Sequence, residues 1–285
     1  MTRGIDHLVH VVRDLDAARE SYERLGFIVG AENVHPWGTR NRLVQFAQSY
    51  IELLAIPEPD KLPQVPAGTY SFGNFNRDFL TECGEGLSFL VLQSSDPRAE
   101  KAAFDKAGFG NFPVMDFSRK ALRPDGSETE VSFSLAFARD AQSRHAGFFT
   151  CQQKTRSEIW FPELQRHANE TKAIGAAVFV AENPTDHHVF FQAFAGVRDL
   201  HASSLGLRIE AGQGEILVYD PRAFRDAFGV EPPRDEGLRF AAMVLQAKDM
   251  AATRALWQRQ GFKPRDIHNR VVVDALGTVI AVEAR

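Results

Sequence analysis

Residues 4–27, GIDHLVHVVRDLDAARESYERLGF, read as a buried strand, a short turn and an amphipathic helix that stops at Gly26. The unit recurs. Asp14 starts the helix and Gly26-Phe27 ends it; in DPRAEKAAFDKAGF, Asp96 and Gly108-Phe109 keep the same spacing, and in DMAATRALWQRQGF so do Asp249 and Gly261-Phe262. Tyr22, Phe104 and Trp257 hold the same internal position, and NPTDHHVFFQAFAGV fits as a degraded copy starting at Asn183. Asp or Asn at a helix start accepts bonds from unpaired backbone N–H groups and suits the positive end of the dipole. Glycine at the other end tolerates the left-handed conformation that terminates a helix. Ungapped copies, each after an apolar strand, indicate internal duplication.

The strands after each helix complete the unit. FIVGAEN reads as a strand, HPWGTRN as a turn-rich loop, and RLVQFA and YIELLAI as two strands around Gln48-Ser49. SFGNFNRDFLTE reads as a short helix, and Arg123-Pro124-Asp125-Gly126 as a turn joining two strands. Strand-helix-strand-strand-strand four times over gives an α+β fold. It consists of four βαβββ modules in two pairs, each pair a half-open mixed β-barrel with helices outside. The expected divisions are an N-terminal domain at 1–153, a connection at 154–172 and a C-terminal domain at 173–285.

Composition narrows the function. The 285 residues carry a net charge of −4 with acids and bases interspersed, which gives no basic patch for nucleic acid. Two cysteines, Cys83 and Cys151, make no disulfide framework, no signal pattern opens the chain, and no run reaches membrane-spanning length. A soluble, cytoplasmic protein with no membrane partner is expected, as monomer or homodimer. Phenylalanine is abundant, 23 residues against 4 tyrosines, which suits large cores or an apolar cavity for an organic ligand. GxSxG, P-loop, GxGxxG, CxxC and HExxH motifs are absent, which weakens nucleotide, peptidase and serine-hydrolase readings.

The duplicated unit and the strand motifs IDHLVHVV and YIELLAI resemble the vicinal oxygen chelate superfamily, the glyoxalase and bleomycin-resistance fold. HPWGTRNRLVQF before YIELLAI, and FFTCQQ before WFPELQRHAN, look more narrowly like glyoxalase-like proteins. The resemblance implies a divalent metal inside the barrel, bound by a His of a module's first strand and a Glu of its last, here His7 and Glu52. It further implies isomerase- or lyase-type chemistry on a small carbonyl or enolisable substrate, or metal-free binding of a small organic molecule.

His7 and Glu52 make chemical sense unaided. Imidazole and carboxylate suit Zn, Mn, Fe or Ni, and each interrupts an apolar strand, where an uncompensated charge is costly. Glu52 is also a candidate base, and the pair hydrogen-bonding one another is the structural alternative. Module two departs from the pattern, since Phe89 stands where a second His is expected. A third ligand is left open among His145, Cys151, Gln152 and Gln153. The C-terminal first strands have no His, and Glu283 lacks companions; since ring-cleaving members of the superfamily it resembles place their iron in the C-terminal half, the resemblance marks down an extradiol dioxygenase. His35, Trp37, Thr39, Arg40 and Asn41 form a candidate substrate clamp, Arg40 or Asn41 for a carboxylate or carbonyl and Trp37 as an apolar wall. His167, Asn169 and the His187-His188 pair read as loop or surface residues.

Overall fold

A computed structural model describes residues 2–65, 70–123, 125–234 and 237–284. Module one comprises β1 (Ile5–Val11), α1 (Leu15–Arg24), β2 (Asn33–Val34), β3 (Arg40–Gln45) and β4 (Tyr50–Ala55). Helix α2 (Phe72–Glu82) leads to β5 (Gly86–Gln93), α3 (Pro97–Lys106), β6 (Met115–Leu122), β7 (Glu128–Ala138) and β8 (Gly147–Gln153). Module three is β9 (Thr171–Val180), α4 (His188–Ala195), β10 (His201–Ser203), β11 (Gly206–Ala211) and β12 (Gly214–Tyr219). Helix α5 (Pro221–Phe228) precedes β13 (Arg239–Ala247), α6 (Met250–Arg259), β14 (Arg265–Ile267), β15 (Arg270–Ala275) and β16 (Thr278–Ala284).

The strands form two eight-stranded mixed sheets, ordered β2-β3-β4-β1-β5-β8-β7-β6 and β10-β11-β12-β9-β13-β16-β15-β14. The identical order is the duplication made visible. The two first strands of each pair, β1 with β5 and β9 with β13, run antiparallel at the sheet centre, and each lies parallel to the last strand of its own module.

The helix starts follow the chemistry of their caps. Asp14 accepts from the N–H groups of Asp16 and Ala17, Asp96 from Arg98 and Ala99, and Asp249 from Ala252. Asn183 makes no such bond; a 3-10 turn, Pro184–His187, leads into α4 there. Tyr22, Phe104, Phe191 and Trp257 are all fully buried. One continuous core lies between the two sheets and includes these side chains of α1, α3, α4 and α6. Helices α2 and α5 take a different place, on the inner faces of the barrels, where α2 packs with the N-terminal interior and Phe224 and Phe228 of α5 fill the C-terminal one.

One expectation needs correction. FIVGAEN does not form a strand of its own; only Asn33–Val34 joins the sheet. Helix α5 (Pro221–Phe228) is a further element that the repeat does not anticipate. The Arg123–Gly126 turn closes with a Gly126 N–H bond to the Arg123 carbonyl, while its Pro124 lies outside the described residues. No helix among the described residues is long and apolar enough to cross a membrane.

Each first strand also carries a β-bulge at one repeated position. Pairing skips Asp6 in β1, Ser88 in β5, Gly175 in β9 and Ala241 in β13. A bulge breaks the two-residue alternation and re-aims the side chains beside it. In β1 it brings Asp6 and His7, neighbours in sequence, into contact.

Candidate functional site

The site grows from that bulge. The Nδ1–H of His7 donates to Asp6 Oδ1 at 2.6 Å. Gln153 Nε2 donates to both Asp6 oxygens, at 3.0 and 2.9 Å, and its Oε1 accepts from Trp160 Nε1 at 2.7 Å. A carboxylate behind one ring nitrogen fixes the tautomer and leaves the other nitrogen as an acceptor. His7 is held further by stacking on Tyr50, with centroids 4.4 Å apart, and by the edge of Phe149.

Glu52 stands beside it because β4 runs parallel to β1 with Glu52 opposite Val9. Its Oε2 lies 3.6 Å from His7 Nε2, beyond hydrogen-bond distance, so two acceptors face one gap. Its Oε1 accepts from Asn41 Nδ2 at 2.5 Å. Asn41 Oδ1 accepts from Asn33, and Asn33 Oδ1 accepts from Arg119 Nη1 at 2.8 Å. Two hydrogen-bonded chains therefore meet at the gap, one through Asp6 and one through Asn41.

The gap opens into a cavity walled by Trp37, Phe72, Phe117, Phe133 and Phe149. It is narrow, since the centre of a water-sized sphere ranges over about 50 Å³. Cys151 also lines it, and burial, aided by Asp6 and Glu52, pushes the thiol up and keeps it protonated. Burial likewise raises Tyr50. His35 is lowered to about 3, first by burial and then by Arg119, so its ring is neutral. It donates from Nδ1 to Thr39 Oγ1 at 2.8 Å and stacks on Trp37, which ties the loop to the cavity wall. Gly38 shapes that loop at φ +87°, where a Cβ would meet the Glu58 carbonyl at 2.5 Å.

Of the residues singled out in the sequence, His7, Glu52, His35, Trp37 and Asn41 line this cavity. Arg40 does not; strand alternation turns it from Asn41, and its guanidinium pairs with Glu32 at 3.0 Å. Among the candidate third ligands only Cys151 is at the cavity. His145 bonds Glu82, Gln152 the Ser95 carbonyl, and Gln153 is taken by Asp6. Three loop or surface expectations are corrected. His167 is buried, accepting from the Ile28 N–H and donating to the Gln45 carbonyl, and Asn169 is buried with its amide on the Leu25 carbonyl. His187 is buried as well, donating to Asp140 at 2.5 Å, while His188 is exposed.

Sequence reading missed Asp6, Asn33 and Arg119. Arg119 left a signal, because β6 alternates, its odd positions face inward, and an arginine among Met115, Phe117 and Ala121 is out of place. Asp6 left none, since only the bulge brings it onto His7.

Equivalences of register explain why the other modules lack such a site. His7 pairs with Val91 and Phe89 with Val9, so Phe89 takes the place of His7. Glu52 opposes Val9 as Phe149 opposes Val91, so Phe149 takes the place of Glu52. In the C-terminal barrel the same positions are Ala176 with Leu217 and Ala242 with Ala281. Glu283 lies two residues past that point and pairs with Arg270.

A metal fits this donor set poorly. His7 Nε2 and Glu52 offer two donors, and no three His, Cys, Asp or Glu side chains converge among the described residues. A tightly held catalytic ion takes about three protein ligands.

Residues 5–194 match the glyoxalase-like domain family. No curated protein sequence matches the chain. Solved structures of the same fold include a hypothetical protein from Staphylococcus aureus, at 13% identity and TM-score 0.71, with 99% of this chain and 100% of that one covered. A mutant of 4-hydroxymandelate synthase from Streptomyces coelicolor aligns at 9% identity and TM-score 0.59, over 100% of this chain and 94% of that one. A xylose isomerase-like TIM barrel/4-hydroxyphenylpyruvate dioxygenase fusion protein aligns at 13% identity and TM-score 0.55, over 100% of this chain and 49% of the fusion. At these identities the likeness establishes the fold.

Proposed function

Because the chain belongs to the glyoxalase-like domain family, we propose that its first barrel binds a small, flat organic molecule and moves a proton on it, in isomerase- or lyase-type chemistry on a carbonyl or enolisable compound. One observation carries this reading: Glu52 and the Asp6-backed His7 present two proton acceptors, 3.6 Å apart, to one aromatic-walled cavity. Two acceptors at that spacing address adjacent atoms of a substrate. Glu52 takes a proton from the carbon beside a carbonyl, and His7 Nε2 takes one from a neighbouring hydroxyl. Asp6 stabilises the imidazolium that forms, and a positioned base contributes about 100- to 10,000-fold. Asn41 holds the Glu52 carboxylate in place, and the ring walls exclude water.

The test is solvent deuterium uptake by a panel of one-ring hydroxy ketones and diketones, followed by proton NMR. The wild type is expected to exchange the position beside the carbonyl, and Glu52→Gln to slow exchange on the order of 100-fold or more. Binding without exchange across the panel would favour the second reading, a metal-free sequestering protein, which the mainly apolar cavity lining supports. Elemental analysis of untagged protein beside His7→Ala and Glu52→Ala checks the metal-free premise. Near-stoichiometric metal, lost in both variants, would overturn that premise.

A further inference from the structure

Arg119 is the group that the proton acceptors leave unexplained. It is 9% exposed, on a strand where every other described position is more exposed. Burying a guanidinium is costly without a charged partner. Yet among the described residues its bonds are to neutral oxygens, Asn33 Oδ1 at 2.8 Å and the Lys120 carbonyl at 3.2 Å. Its Nε–H is buried with no acceptor, as is the Nε1–H of Trp37, which lines the same cavity. Other buried side-chain donors also lack acceptors, but among the described residues these two are the ones that line the cavity, where a ligand can supply the acceptor.

The charges of the lining identify that acceptor. Glu52 is the one carboxylate among the cavity-lining residues and Arg119 the one guanidinium. A substrate that arrives neutral leaves that balance unchanged. When Glu52 takes a proton from carbon, the C–H bond breaks, an O–H bond forms on Glu52, and the electron pair moves through the new C=C bond onto the carbonyl oxygen. The negative charge has left Glu52 and sits on the substrate, still facing the same cation.

We propose that Arg119, with Trp37 lining the same cavity, is the oxyanion site, and that the ligand class is neutral, planar, one-ring-sized molecules whose oxygen becomes anionic when they lose a proton to Glu52. This rests on the proton-transfer reading above. Donors fixed in advance, where charge develops, stabilise it without reorganisation. Asn33 positions the guanidinium and, through Asn41, also positions Glu52, so acceptor and oxyanion site are built on one hydrogen-bonded chain.

The experiment uses para-nitrophenol, a neutral planar acid whose phenolate absorbs in the visible. It is titrated with full-length protein at a pH where the free phenol is mostly protonated, and affinity is read separately by calorimetry. Wild type is expected to bind it with the phenolate band enhanced. Arg119→Met is expected to bind it with the phenolate fraction reduced about tenfold or more, and Arg119→Lys to retain part of the band. Glu52→Gln, which removes the competing negative charge, is expected to bind the phenolate more tightly than wild type. Bound phenol with no phenolate enhancement in wild type, or equal enhancement in wild type and Arg119→Met, would overturn the role of Arg119 and leave the cavity reading standing. No binding by wild type would overturn both. The wild-type spectrum and Arg119→Lys, which keeps the charge and the stem, decide the matter even if Arg119→Met does not fold.

Discussion

At the scale of single residues, Asp6 decides what His7 can do. Without its carboxylate the ring is free to turn or change tautomer, and its Nε2 lone pair no longer points reliably at the gap beside Glu52. Asp6→Asn keeps the shape but removes the charge that stabilises an imidazolium and leaves one acceptor oxygen in place of two. Deuterium exchange by this variant is expected to slow on the order of 100-fold, with para-nitrophenol affinity within about twofold of wild type. Equal losses of both would reduce Asp6 to a packing residue. His7 and Glu52 were legible in the sequence because each interrupts an apolar strand. Asp6 was not, because alternation assigns adjacent residues to opposite faces and the bulge overrides it. Arg40 is expected at the site for the converse reason: its proximity to the loop is visible in the sequence, but its facing direction on a short strand is not. A second prediction concerns buried imidazoles. Burial lowers His10 to about 4, His167 to about 4 and His35 to about 3. The unfolded chain takes up protons on these rings near pH 6.5, while the folded chain resists until about pH 4 or below. Their contribution is therefore intact above about pH 6.5 and is lost as pH falls toward 4, by up to about 3 kcal/mol for His10 alone. Melting temperature should drop steadily between pH 7 and pH 4.5; a flat profile over that range would contradict the assignment.

At the scale of elements, the informative pair is α2 and α5. Each follows the last strand of an odd-numbered module, and each lies on the inner face of its barrel. Helix α5 inserts Phe224 and Phe228, whose ring centroids lie 4.8 Å apart, among Ala176, Val178 and Ala281. Helix α2 brings Phe72, Phe75 and Phe79 against Phe89 and Phe149. In the N-terminal barrel the plug fills the module-two half, where Phe89 and Phe149 replace the His and Glu, and the cavity survives beside His7 and Glu52. In the C-terminal barrel alanines stand at three of the four equivalent positions, Ala176, Ala242 and Ala281, and the plug occupies the space. Truncating Phe224 to Ala should cost about 3–5 kcal/mol in urea unfolding, leaving para-nitrophenol binding in the first barrel unchanged. Loss of that binding with the fold intact would show that the plug serves the N-terminal site. The signals for α5 were all present: Asp220 accepting from the Ala223 N–H, Pro221 in the first turn and Gly229 in the left-handed conformation. They were overlooked because the repeat accounts for one helix per module and α5 belongs to the connection. The expected strand in FIVGAEN fails for a related reason. The Gly30 N–H bonds the Leu43 carbonyl, but no ladder continues from it until Asn33.

At the scale of the whole molecule, the two barrels do not stand alone. Phe148 of β8 packs against Phe179, Phe190, Phe191 and Phe194, all from module three, with centroids 4.7–5.8 Å away. Polar ties cross the same boundary. Trp257 donates to the Leu25 carbonyl, His10 to the Leu276 carbonyl, Arg3 to the Phe194 carbonyl and His187 to Asp140. Strand β1, which carries Asp6 and His7, is thus tied to the C-terminal half through His10, and the C-terminal barrel supports the N-terminal one. A core shared in this way should unfold as a unit. The three tryptophans make this measurable, because Trp37 and Trp160 report on the N-terminal half and Trp257 on the boundary. A variant with Trp37→Phe and Trp160→Phe retains only the boundary reporter. Its urea transition should coincide with that of circular dichroism, and Phe148→Ala should move both together, by about 3–5 kcal/mol. If fluorescence and dichroism separated, the halves would be independent. The C-terminal barrel would then have to be explained by a function of its own rather than by support of β1.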